Sequence, residues 1–150
     1  MIFQAATFTR TTLLKLLDDL TLEQLTFTPK GFKNNLLWNI AHILVTEQLL
    51  TYKLSGLEMK IDEKFVSLYG KGSIPKNNYT QKDIDEIKAV LIPVIKQTKK
   101  DYNNGVFKTF TSYPTSVGIT LNNIEDALQF NSFHEGIHLG IILSIKKMIG

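Results

Sequence analysis

His134-Glu135-Gly136-Ile137-His138 is the stretch on which the reading of this chain turns, because 150 residues contain only three histidines and two of them lie here. On a helix, a spacing of four stacks the imidazoles on one face, about 5–6 Å apart at Cβ. That is how a helix offers two nitrogen ligands to one metal ion. Ala127, Phe130, Ile141 and Ile145 fall on the same arc, so the pair is expected within an inward apolar stripe. Glu135 projects to the side of that stripe and is expected on its rim. Asn122 and Glu125 form a capping-box pattern that predicts a helix from there to about Met148.

The third histidine, His42, shares a predicted helix face with Trp38, Val45 and Leu49. Asn34 or Asn35 serves as N-cap of that helix, which runs to about Ser55 and stops at Gly56. Three imidazoles facing one core need partners for two ring nitrogens each, in a region poor in polar groups. One divalent ion would satisfy three of those nitrogens together. The expected metal ligands are therefore His42, His134 and His138, with positions left open for water or substrate. All-imidazole ligation suits zinc or nickel. Asn39, Thr46 and Asn131 project close enough to orient the rings, whereas Glu47 projects away from His42 and is expected on the outside.

The motif is also a literal His-Glu-x-x-His, the signature of zinc peptidases, in which a third ligand follows later in the chain. Residues 139–150 contain no His, Asp or Glu, so the peptidase reading is set aside.

Outward from these two helices, residues 2–20 carry Ile2, Ala6, Leu13, Leu17 and Leu20 on one stripe, with Phe3, Leu14 and Leu16 at its edges. Arg10 projects into the same stripe, either as a buried or snorkelling cation or as an anchor for a substrate anion. Thr21 and Gln24 form a second capping box. Residues 57–79, with Gly70, Gly72 and Pro75, read as a long connection with a helical turn near 63–68. Thr80 and Asp83 open a helix over 81–103, with Ile84, Ile87, Leu91, Val94, Ile95, Thr98 and Tyr102 inward and Pro93 on the opposite side. Residues 107–120 read as an extended connection that includes a short strand pair. Four long helices with two long connections predict an all-α, single-domain bundle over 1–150 with crossover connections.

Composition bounds the function classes. With no cysteine, disulfides, thiolate metal sites and a cysteine nucleophile are excluded. The net charge of +3 is spread along the chain. Its densest groups, Lys96, Lys99 and Lys100, and Lys146 with Lys147, fall where helices end and favour the helix dipole. No nucleic-acid surface is expected. Neither a signal peptide nor a membrane span is read from the sequence, so a soluble cytoplasmic protein is expected.

Two segments, Asn35 to Gln48 and Ala127 to Ile142 with the closing Gly150, resemble the DinB-like (YfiT-like) helical bundles in motif, order and length. The resemblance implies an up-down-down-up four-helix bundle, often homodimeric, with a divalent metal held by His42, His134 and His138. Some members of that family are thiol S-transferases working with bacillithiol or mycothiol, and others are isomerases or hydrolases. The expectation is a metal-dependent transferase or hydrolase acting on a small molecule, with a low-molecular-weight thiol as one candidate. Arg10 and Glu135 are the candidate catalytic residues, and Tyr102 and Tyr113 are candidate donors near the mouth. The alternative is a non-catalytic, metal-stabilised or metal-sensing dimeric bundle, and Leu128, Leu139 and Leu143 form a second apolar face of the last helix that packs on another helix or on a partner subunit. One departure stands out. Family members often continue His-x-Gly with Gln, whereas Ile141 follows Gly140 here.

Overall fold

The computed structural model describes residues 1–149; Gly150 lies outside the described residues. Its elements are α1 (Ile2–Asp19), α2 (Leu22–Thr26), α3 (Leu36–Gln48) continued by a π-helical turn (Leu49–Lys53), α4 (Glu63–Tyr69), α5 (Gln81–Asn103), β1 (Tyr113–Pro114), β2 (Thr120–Leu121) and α6 (Ile124–Met148). The predicted helix bounds hold to within a residue or two, since most helices start at side-chain caps. Asn35 accepts from the Trp38 amide, and Thr80 and Asp83 cap α5 reciprocally. The start of α6 differs by one residue. Asn123, not Asn122, accepts from the Asp126 amide, and Asp126 in turn accepts from the Asn122 amide. The strand pair is real but minimal, two residues on each side, antiparallel.

Contacts between the long helices fix their directions. Phe3 packs on Tyr102, and Asp18 pairs with Lys88, so α1 and α5 run antiparallel. Ile2 and Phe3 pack near Ile124, and Arg10 meets Glu135, so α1 and α6 run parallel. Asn39 meets His138 while Leu50 packs near Ile124, which sets α3 antiparallel to α6. Glu47 with Thr98, and Tyr52 with Asp101, set α3 parallel to α5. The four long helices form an up-down-down-up bundle in which the long α3–α5 connection, which joins two parallel helices and contains α4, crosses over the length of the bundle.

Within the bundle, α3 is buried on every side; of its thirteen residues only Thr46 is not. A helix apolar all round belongs at the centre. This corrects the expectation for Glu47. It has no outside to face, and its carboxylate is fully buried against Gln48, Thr51 and Thr98. Of the two roles expected for the second apolar face of α6, packing within the chain accounts for most of it. Leu128 is buried in this chain's own core, Leu139 packs on that core, and of the three only Leu143 is exposed.

Candidate metal centre

The three histidines meet. One ligand nitrogen from each of His42, His134 and His138 lies within 4.8 Å of the other two. Ring centroids are 5.1 Å apart for His42–His134, 4.7 Å for His42–His138 and 4.4 Å for His134–His138. His42 is buried and the other two are half-buried. The buried arc of α6 is therefore turned from the projected one. Asn131 and Glu135 are the deep positions, because α6 packs against α1 as well as α3 and Arg10 draws Glu135 inward. The histidines occupy the α3 side of that arc.

Two of the three rings, His42 and His138, are oriented by hydrogen bonds to neighbours. The His42 Nδ1 lies 2.7 Å from the Tyr69 carbonyl oxygen. Since a carbonyl only accepts, Nδ1 carries the proton and Nε2 keeps its lone pair. Trp38 stacks on the same ring at 4.5 Å and 12°, and its indole N–H donates to Ser73 Oγ, tying the stack to the chain after α4. Gly70 leaves α4 directly after Tyr69, where a Cβ would collide with the Val66 carbonyl oxygen. His138 Nδ1 donates to Asn39 Oδ1 at 2.8 Å, while Asn39 Nδ2 donates to the Asn35 carbonyl, which fixes the amide's orientation. Thr46 Oγ1 lies 3.3 Å from His42 Nε2. Asn39→Ala frees the His138 ring and is expected to weaken metal affinity about 10-fold or more while the helical circular-dichroism signal is unchanged. Equal affinity would show that Asn39 does not orient the ring.

The donor set fits a divalent ion. Burial, followed by the neighbouring imidazoles, pushes His134 down to about 3 and His138 down to about 4. Burial also lowers His42, helped by Lys71 and opposed by the Tyr69 hydrogen bond. All three are neutral near pH 7, the form in which imidazole ligates. Moreover, His134 Nδ1 is buried without a hydrogen-bond partner among the described residues. A buried polar atom left in that state is costly.

Above the cluster opens a cavity of about 510 Å³, within the usual range for small-molecule sites. The π-helical turn and the residue after it contribute Leu49, Leu50, Lys53 and Leu54 to its wall. The segment around the strands contributes Tyr113, Thr115, Ser116 and Val117, and α6 contributes Phe130, Phe133 and Ile137. Lys71 completes the rim. π-Turns concentrate at functional sites, and this one lies directly beyond Thr46 and His42.

Arg10 and Glu135 are brought together, away from this cavity. Arg10 Nη2 donates to Glu135 Oε1 at 2.8 Å and Nε to the same oxygen at 3.3 Å, while Nη1 donates to the Leu91 carbonyl. Both residues are buried, and neither lines the cavity. The guanidinium is thus committed to its own chain, not held out for a substrate anion. Tyr113 lines the cavity as expected. Tyr102 does not; it packs on Phe3 and donates to Glu125. Sequence reasoning missed the Tyr69 carbonyl and the two lysines, Lys53 and Lys71. The carbonyl carries no side-chain signal. Lys53, eleven residues beyond His42, lies close to its helical phase and could have been found.

The sequence model of the DinB superfamily matches residues 5–142, most of the chain. No curated protein matches it.

Proposed function

Since the chain belongs to the DinB superfamily, we propose that it is a divalent-metal-dependent enzyme, a thiol S-transferase or hydrolase, with the metal held by His42, His134 and His138. The observation that carries this reading is the convergence of three neutral imidazoles, two of them oriented by hydrogen bonds, at the floor of an apolar cavity. Zinc or nickel suits the all-nitrogen donor set best. Bound there, a divalent ion supplies Lewis acidity, lowering the pKa of a coordinating water or thiol so that it serves as the nucleophile at neutral pH.

The protein's own residues do the remainder. Tyr69 and Asn39 hold the His42 and His138 rings, and Trp38 clamps His42 from its face. Leu49, Leu54, Phe130 and Ile137 exclude water from the reacting atoms and pack on the body of the substrate. Thr46 and Tyr113 present hydroxyl groups to it. Arg10 and Glu135 form the framework behind α6 and take no part in proton transfer.

Elemental mass spectrometry on protein purified without chelators tests the reading. One equivalent of divalent metal is expected, lost in His42→Ala. Substoichiometric metal indifferent to that substitution would overturn it. A second reading, a metal-stabilised dimeric bundle without catalysis, draws support from Phe133, Ile137 and Leu143, which α6 leaves exposed. It gains if chelation lowers the melting temperature and halves the dimer fraction while no thiol transfer or hydrolysis is detected with any electrophile.

A further inference from the structure

We infer that the cavity above the histidines takes an apolar-bodied organic anion, with its charged end between Lys53 and Lys71 and its body on the leucine and aromatic wall. The inference rests on the metal reading only for which end of the ligand reacts. Two features of the lining carry it. Apolar side chains from three separate elements make up most of the wall, and the fixed charges on it are Lys53 and Lys71, with no aspartate or glutamate among the lining residues. Lys53 and Lys71 line the same cavity as His42, His134 and His138, so the cationic groups belong to the space that holds the cluster.

Those features select by chemistry. A cation would meet two ammonium groups and no carboxylate. A sugar or other polyol would find a few hydroxyls, from Thr46, Thr115 and Ser116, against a surface that strips water without returning hydrogen bonds. A neutral apolar molecule would use the wall and leave both lysines unused. A carboxylate on a chain of several carbons uses both, and its head group gains from two cations that line the same cavity. Lys53 belongs to the π-helical turn and Lys71 follows α4. The two cations therefore reach the one cavity from different elements.

Isothermal titration calorimetry with sodium octanoate, its neutral counterpart octanamide, and sodium butyrate tests this. It is run on zinc-reconstituted protein and on the same protein stripped of metal. Octanoate is expected to bind about tenfold or more tighter than octanamide, and affinity to rise about threefold per methylene from butyrate to octanoate. The double variant Lys53→Gln/Lys71→Gln, both exposed positions, is expected to abolish the preference for the anion while octanamide binding and zinc stoichiometry are unchanged. Raising salt from about 0.1 to about 0.5 M should weaken octanoate alone. A preference for octanoate that survives the double substitution overturns the proposal, as does equal binding of octanoate and octanamide, equal binding of butyrate and octanoate, or no binding of any probe. The metal reading fails separately. If zinc does not bind, the stripped protein still displays the lysine-dependent preference.

Discussion

Arg10→Met is expected to lower the unfolding free energy by about 3–5 kcal/mol, read as a shift of the urea midpoint at unchanged slope. Arg10 is fully buried and Glu135 nearly so. The substitution leaves the Glu135 carboxylate under α1 with only the Asn131 amide donating to it. One of its oxygens, Oε2, has no hydrogen-bond partner among the described residues even in the intact protein, so the site has little reserve with which to absorb the loss. The second buried carboxylate shares the consequence. Burial raises Glu47 above the ordinary carboxyl range, and the Arg10 charge is the first influence opposing that rise. Removing Arg10 drives Glu47 further toward its protonated form. Glu135→Leu alone should cost a similar amount, because it strands the guanidinium, while the double variant Arg10→Met/Glu135→Leu should recover most of the loss. A single-variant cost below about 1 kcal/mol, the range of solvent-exposed pairs, would show that water reaches the pair.

That pair marks where sequence reading succeeds and where it stops. Arg10 on an apolar stripe was visible as an anomaly, and an isolated buried cation requires a counter-charge. Its partner was not visible, because projection measures a residue against one stripe and α6 packs on two neighbours. Glu135 is off-centre toward α3 and central toward α1. Glu47 was misplaced for the related reason that α3 has no exposed side, so an angle away from His42 still points into the protein. The histidine triad was legible because histidine is scarce and two helices carry all of it. The helix bounds were legible because caps such as Asn35 and the Thr80–Asp83 pair are local chemistry. What orients the rings was only half legible. Asn39 lies one turn from His42 and was readable, whereas the Tyr69 carbonyl arrives through the fold of a long connection and leaves no trace in residue type.

The enclosure of the three histidine rings makes the metal-free protein acid-sensitive. Above about pH 6.5 the three histidines are neutral in both native and unfolded chains and contribute nothing. Below it the unfolded chain takes up protons that the native state refuses until about pH 4 at His138 and about pH 3 at His134. Native stability is therefore lost progressively as pH falls through that window. Allowing for solvent screening at these partly exposed groups, the loss is on the order of 3 kcal/mol between pH 7 and 5. Glu47 acts in the opposite direction. Its native pKa is raised by burial, so the native state binds a proton there that the unfolded chain does not yet hold, and acidification relieves part of the loss. Urea unfolding of chelator-treated protein at pH 7 and 5 should accordingly show a larger drop in Glu47→Gln, which removes the opposing group, than in the parent. It should show a smaller drop in His134→Phe, which removes a destabilising one. Saturating zinc raises stability at pH 7 through mass action and keeps that effect at pH 5, losing it only as the pH falls toward about 4 and then about 3, where protons begin to compete for the His138 and His134 nitrogens. A flat stability profile in chelated Glu47→Gln, where that opposing group is gone, would mean that the three imidazoles take up protons as freely in the native state as in water, and that the site is open rather than enclosed.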